Sequence, residues 1–182
     1  AVSDVHGGIY SADGIDITQL KQHVDETGSV KDFTGCKPVS NEEIFTLDCD
    51  ILVPAAVHSV IHKRNASDIQ AKLIVEGANG PVTTEAETIL HDKGVTIVPD
   101  VVANSGGATV CHFERTQGLS DQYWDLEKVN RQLESRILTA YKNAAGEAEK
   151  AGGAPLRIGA WIHALKMLEK AAYLAPDNVD YL

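Results

Sequence analysis

Apolar residues along this chain fall into short continuous runs separated by stretches of helical period. Asp50 to Val53, Leu73-Ile74-Val75 and Val95-Thr96-Ile97-Val98 are such runs, apolar on both faces. Runs of that length with helices between them indicate strands of a parallel sheet covered on both sides. Ile9-Tyr10 is a further short strand candidate behind the Gly7-Gly8 turn. Ile17, Leu20 and Val24 form an apolar stripe on a helix with Asp16 as N-cap, Gln19 as capping-box partner and Gly28 as its stop. Ser40-Asn41-Glu42-Glu43 is a second capping box, opening a short helix through Ile44, Phe45 and Leu47. Further helices are expected near Asn65 to Ala71 and Thr84 to Lys93.

After Asp100 the pattern changes. From Ser105 onward no strand pattern remains, and helices are expected from about Ser105 to Gln117, Asp125 to Ala151 and Pro155 to Tyr173. Pro155 suits a first helical turn, and Gly152-Gly153 is the break before it. The expected fold is α/β, a Rossmann-like, mostly parallel sheet over residues 1–104 followed by a helical segment over residues 105–182. Ala1-Val2-Ser3-Asp4 lacks an initiator Met and reads like the end of a strand, as expected of a piece truncated at its N-terminus. Flexible ends are expected at Ala1 and from Pro176 to Leu182.

Composition narrows the classes. The 182 residues are 43% hydrophobic and 23% charged, a soluble globular balance rather than a disordered one. Sixteen Lys and Arg against 26 Asp and Glu give a net charge of −10, which argues against binding nucleic acid through a basic field. No apolar run approaches the roughly 18 to 20 residues of a membrane span, and the run Ile51 to Val57 is broken by Pro54. The first residues carry no basic start followed by an apolar core, so no signal peptide is expected. Cys36, Cys49 and Cys111 are an odd, widely spaced set with no Cys-x-x-Cys. That fits a reducing, cytoplasmic setting rather than a disulfide scaffold or a zinc site.

The strand ends carry the polar chemistry. Val53 runs into Pro54-Ala55-Ala56, Val75 into Glu76-Gly-Ala-Asn-Gly-Pro81, and Val98 into Pro99-Asp100 and then Ala103-Asn-Ser-Gly-Gly107. In open α/β sheets ligands bind outside the carboxyl ends of the strands. Small residues there admit a flat ring to the backbone, and Asn offers both a donor and an acceptor for a carboxamide or a ribose hydroxyl. The plainer alternative is that Asn79 and Asn104 only shape turns. Ser3-Asp4 fits the same scheme, because an acidic residue just after a strand accepts from adenosine ribose hydroxyls. A glycine fingerprint belongs about 20 residues earlier, and Gly7-Gly8 is no substitute because no helix follows at once.

Four segments together carry a resemblance. They are Val2-Ser-Asp-Val-His-Gly-Gly-Ile-Tyr10, Asp48-Cys-Asp-Ile-Leu-Val-Pro-Ala-Ala56, Val75-Glu-Gly-Ala-Asn-Gly-Pro81 and Val98-Pro-Asp-Val-Val-Ala-Asn-Ser-Gly-Gly107. In order and separation they resemble the C-terminal, cofactor-binding part of the glutamate/leucine/phenylalanine/valine dehydrogenases, glutamate dehydrogenase most of all. The resemblance runs from Ala1 to roughly Ala172. It implies reversible oxidative deamination of an L-amino acid to a 2-oxo acid and ammonia, with NAD or NADP as cofactor, in a homo-oligomer. It also implies that the catalytic Lys and Asp lie in an N-terminal domain outside this chain, so no catalytic residue is expected here. By resemblance Ser3 and Asp4 stand at the adenosine ribose, Ala55 and Ala56 in the loop beside the cofactor, and Asn79 near the nicotinamide ribose. Asn104 stands near the nicotinamide carboxamide and the substrate. Cys111 stands where glutamate dehydrogenases usually carry a Ser that meets the substrate's side-chain carboxylate. A thiol is the weaker donor, which touches specificity for glutamate. Ser59 replaces a common Asn, a lesser change. The alternative function is a non-catalytic Rossmann-like binding module that has lost the chemistry. The sequence upstream of Ala1 discriminates the two.

Other residues read more plainly. His58 and His62 would share a face on a helix, but no third metal ligand stands at a convincing spacing, so no metal site is expected. Cys111 and His112 are adjacent and do not face each other on a helix. His6 is a candidate contact for a 2′-phosphate. Trp124 and Trp161 are expected to pack the helical segment, and Lys128, Arg131 and Lys142 to form a solvated face.

Overall fold

A computed structural model describes residues 1–174. The stretch from Pro176 to Leu182 lies outside the described residues. The strands are β1 (Val2–Asp4), β2 (Gly7–Tyr10), β3 (Lys37–Val39), β4 (Ile51–Leu52), β5 (Leu73–Val75) and β6 (Thr96–Val98). The α-helices are α1 (Ile17–Thr27), α2 (Thr84–Asp92), α3 (Asp100–Ala103), α4 (Gly106–Ser120), α5 (Leu126–Lys150) and α6 (Leu156–Leu174).

The strands form two sheets of three. β4, β5 and β6 are parallel neighbours in that order, with Ile51 opposite Leu73 and Leu73 opposite Thr96. β1, β2 and β3 form an antiparallel meander, with Val2 opposite Ile9 and Ile9 opposite Pro38. The parallel expectation therefore holds for β4 to β6 and not for the first ten residues. A turn as short as Val5-His6 can only fold the chain back on itself, whereas a parallel neighbour needs a long crossover. β3 is not visible in the apolar pattern. Its Lys37 and Pro38 are exposed, and a sheet edge tolerates Pro.

Local chemistry explains the helices. The Asp16 carboxylate accepts from the Gln19 amide at 3.0 Å and from its side chain at 2.9 Å, fixing the start of α1. Thr83 caps α2, whose first turn holds Glu85 and Glu87 and whose last holds His91, in keeping with the helix dipole. Ser40 and Glu43 do form a reciprocal capping box, at 3.1 and 2.8 Å, but it opens only a 3-10 turn over Glu43–Thr46. The helix expected near Asn65 to Ala71 is likewise a 3-10 turn, Ala66–Asp68. There Asn65 turns its side chain backwards, accepting from the His62 amide and donating to the Val60 carbonyl, so it closes a loop instead of capping a helix.

The main core lies between the parallel sheet and α2, where Ile61, Ile69, Ile74, Leu90 and Ile97 are buried together. Each such side chain contributes roughly 1.5 to 3 kcal/mol by leaving water. A smaller core of Ile9, Leu20 and Val30 joins the meander to α1. In the helical segment α5 and α6 pack very closely at Gly159. A Cβ there would stand 2.7 Å from the Ala148 nitrogen and 2.9 Å from its Cβ. Trp124 packs against Phe113 at 5.4 Å between centroids, as expected, whereas Trp161 on α6 is exposed and has no such aromatic partner among the described residues.

β1 and β4 are both edge strands, and a hollow of about 490 Å³ lies between them. Val2, Tyr10, Phe45, Leu52 and Val53 give it apolar walls.

Candidate functional site

The parallel strands end in three connections that are stitched to one another through main-chain groups. The Pro54 carbonyl after β4 accepts from the amides of Gly77 and Ala78 after β5, at 3.1 and 3.0 Å. The Gly80 carbonyl accepts from Ser59 at 2.9 Å. Gly77 makes this approach possible, because a Cβ there would lie 2.9 Å from the Ala55 Cβ. β5 and β6 are held at the same end by the Glu76 amide on the Val98 carbonyl, at 3.1 Å.

On this platform Asn79 and Asn104 meet. The Asn104 Nδ2 donates to Asn79 Oδ1 at 2.7 Å and to the carbonyls of Gly77 and Ala78 at 3.3 Å. Among the described residues the pair leaves an acceptor, Asn104 Oδ1, and a donor group, Asn79 Nδ2, for other partners. Both residues line one open hollow with Ala56, Val57, His58, Gly77 and Ala78. Ala56 also lines the hollow between the two sheets, together with Ser3 and Ala55. Two hollows that meet at Ala56 thus bring five of the expected cofactor residues together. The small side chains of Ala55 and Ala56 leave the backbone open to a flat ring, and the free acceptor and donor suit a carboxamide and a hydroxyl. The residues present fit a dinucleotide.

Asp4 stands apart from both linings and has local work. Its Oδ1 accepts from the His6 amide and its Oδ2 from the Val30 amide, both at 2.8 Å. Burial pushes its carboxyl up, but the Val30 amide, the Ser29 hydroxyl and His6 outweigh it, and its pKa lies below the ordinary value. The spare lone pairs of an ionised Asp4 remain able to accept from hydroxyls.

Sequence reasoning missed the ionic cluster behind the loops. Glu76 is fully buried, 0% exposed. Arg157, in the first turn of α6, reaches it at 2.7 and 2.8 Å, Asp100 at 2.8 Å and Glu87 at 3.0 Å. Burial raises the Glu76 carboxyl above its usual range, against the pull of Arg157 and of the Asp100 amide. Burial also acts on Asp100, but the amides of Gly80 and Val101 and the Arg157 guanidinium outweigh it and bring its pKa below the ordinary value. The signal for this cluster was a single one, an acidic residue directly after β5.

Cys111 lies about two turns beyond Asn104 on α4, exposed, and is not among the residues lining either hollow. His58 and His62 do not sit on a helix, so the shared face does not form. Among the described residues no group of three or more His, Cys, Asp or Glu is placed to hold a metal ion, and no helix is long and apolar enough to cross a membrane.

Comparison with known proteins supplies the family. The glutamate dehydrogenase of Thermotoga maritima is 43% identical over 181 residues, covering 100% of this chain and 42% of that protein. The NAD-specific glutamate dehydrogenase A of Halobacterium salinarum is also 43% identical, over 94% of this chain and 39% of its own length. The chain therefore spans about two fifths of the length of these relatives. A solved hetero-hexameric glutamate dehydrogenase from Thermus thermophilus, in a leucine-bound form, superimposes with a TM-score of 0.84 at 33% identity, over 92% of this chain and 39% of that one. The sequence profile described as Glutamate/Leucine/Phenylalanine/Valine dehydrogenase matches residues 1–174, and the chain belongs to that family.

Proposed function

We propose that the chain is the cofactor-binding part of an enzyme that carries out reversible oxidative deamination of L-glutamate, or a related amino acid, to the 2-oxo acid and ammonia with NAD or NADP. The Asn79–Asn104 pair carries this reading. It presents an acceptor and a donor at the carboxyl ends of parallel strands, next to the open backbone at Ala55 and Ala56. When bound, the nicotinamide accepts hydride from the amino acid. Asn104 Oδ1 would accept from the ring's carboxamide and Asn79 would donate to the ribose, which fixes the face the ring presents. Ser3 and Asp4 would hold the adenosine ribose at the other end of the cleft. Proton transfer is assigned to a Lys and an Asp outside this chain, so the 182-residue chain alone should be inactive: positioning without an acid/base pair does not turn over an imine. The parent is expected to be a cytoplasmic homo-oligomer, in keeping with the three free thiols.

The test is glutamate-dependent formation of reduced cofactor by the complete protein, with Asn104→Ala alongside. Loss of a neutral hydrogen bond, roughly 1 kcal/mol, predicts a drop of about fivefold to tenfold in kcat/KM. Absence of amino-acid-dependent reduction of either cofactor would refute the reading and favour a binding module without chemistry.

A further inference from the structure

We infer that Arg157, remote in sequence and on a different element, is a positioning residue for the Asn79–Asn104 pair. The inference rests on the dehydrogenase reading above. Arg157 gathers carboxylates from three elements: Glu76 after β5, Glu87 on α2 and Asp100 at the start of α3. Two of the three are also built into the loops. The Glu76 Oε2 accepts the Asp100 amide at 2.7 Å, and the Asp100 Oδ2 accepts the Gly80 amide at 2.8 Å. Gly80 is the neighbour of Asn79, and the Asn104 amide bonds to the Asp100 carbonyl at 2.9 Å. Asp100 therefore sets both Asn residues through its main chain and its side chain. The Arg157 Nη1 holds the other oxygen of that carboxylate.

Only a planar fork suits this arrangement. Three separate carboxylates receive from Nε, Nη1 and Nη2 at once. A Lys ammonium presents one point of charge and cannot span them. Without the fork, Glu76 and Asp100 are neighbouring anions, and repulsion would swing the Asp100 carboxylate away from Gly80. Glu87 differs, because it bonds Arg157 and neither loop. The adenosine end of the cleft, at Ser3 and Asp4, does not touch the cluster.

The test uses the complete protein with Arg157→Lys and Glu87→Gln. In Arg157→Lys, kcat is expected to fall about 10- to 100-fold, because a displacement of about 1 Å in positioning groups costs that much. The KM for the cofactor should change less than about threefold, since the adenosine end is intact. Amide hydrogen exchange should quicken at Gly80 and Asn104. Glu87→Gln should leave kcat within about twofold and those amides unchanged, whatever it does to thermal stability. If Arg157→Lys lowers only the melting temperature, or if Glu87→Gln lowers kcat equally, the positioning role is refuted and the cluster is purely a structural tie. If Arg157→Lys does not accumulate, Asp100→Asn reads the same link, with the same kcat loss and exchange expected. A wild-type protein without dehydrogenase activity would overturn the functional reading alone, because the exchange comparison still measures the coupling.

Discussion

Adding one methyl group at Gly77 should pull the site's platform apart. The Gly77 φ is not in the left-handed region, so Ala is not strained there by backbone conformation, and its effect must come from contact. An ideal Cβ stands 2.9 Å from the Ala55 Cβ and 3.3 Å from its Cα. Carbon atoms settle at about 3.5 to 4.0 Å, so the two loops must separate by roughly 0.6 to 1 Å. The bonds from Gly77 and Ala78 to the Pro54 carbonyl, now 3.1 and 3.0 Å, would then stretch past hydrogen-bonding distance. Overpacking alone costs about 1 to 3 kcal/mol, and each lost bond about 1 kcal/mol if water does not replace it. Gly77→Ala is thus expected to destabilise by about 3 to 5 kcal/mol in urea unfolding, with the slope unchanged. Ala55→Gly removes the offending Cβ, so the double variant should recover at least half of the loss, a coupling within the range of about 0.5 to 3 kcal/mol for touching residues. A Gly77→Ala variant within about 0.5 kcal/mol of wild type, or strictly additive effects in the pair, would refute the close-approach argument.

Three further outcomes are expected. In the complete enzyme Cys111→Ser should raise kcat/KM for glutamate by about 10- to 100-fold, since a hydrogen bond to a charged group is worth roughly 1.5 to 3 kcal/mol, with little change for leucine or valine; equal effects on all three would show that Cys111 does not read the side chain. Glu147 is held at a pKa of about 2 by hydrogen bonds from Lys166 and Lys150. Its stabilising share is therefore present above the unfolded value of about 4.3 and lost as pH falls through the folded one, so the melting-temperature gap between wild type and Glu147→Gln should close over that window, and a gap constant from pH 7 to 2 would refute the ion-pair reading. The isolated chain should self-associate in sedimentation through the edges of β1 and β4, and a clean monomer across micromolar concentrations would count against exposed, pairing-competent edges.

Sequence made visible what is local. The Asp16 end of α1, the span of α2, the buried runs of β5 and β6, and the long helices around Pro155 all follow from caps and periods within a few residues. What escaped depends on contacts between distant positions or on what a side chain does instead of its usual work. Asn65 bonds backwards and leaves a 3-10 turn where a helix was expected. α3 begins where the Asp100 amide bonds the Glu76 carboxylate, 24 residues away in sequence. The Arg157 cluster joins positions 76, 87, 100 and 157, and no spacing rule connects them. The candidate site was half legible: the loop motifs named Asn79 and Asn104, but not the bond between them, nor the local duty of Asp4.

The exposure of β4 bears on how the two sheets are related. Its sequence is as apolar as that of its neighbours, yet Ile51 is 56% and the following Val53 55% exposed, while Ile74 in β5 is 0%. A strand in a parallel sheet is apolar on both faces because both are covered. β4 carries that composition with one edge and part of its surface facing the hollow toward β1, whose own edge is also free. Left in water, such a strand forgoes the transfer energy its sisters gain, about 25 cal/mol for each Å² left exposed. The same hollow is lined by Ser3, Ala55 and Ala56, which places the apolar edge and half of the cofactor candidates on one surface. On the proposed function, whatever covers that edge would also build the adenosine side of the cleft. The Asn79–Asn104 pair, which the proposed function places at the nicotinamide, is held by bonds within this chain. Binding through the first is therefore expected to depend on assembly, and orientation through the second on Gly77, Asp100 and Arg157.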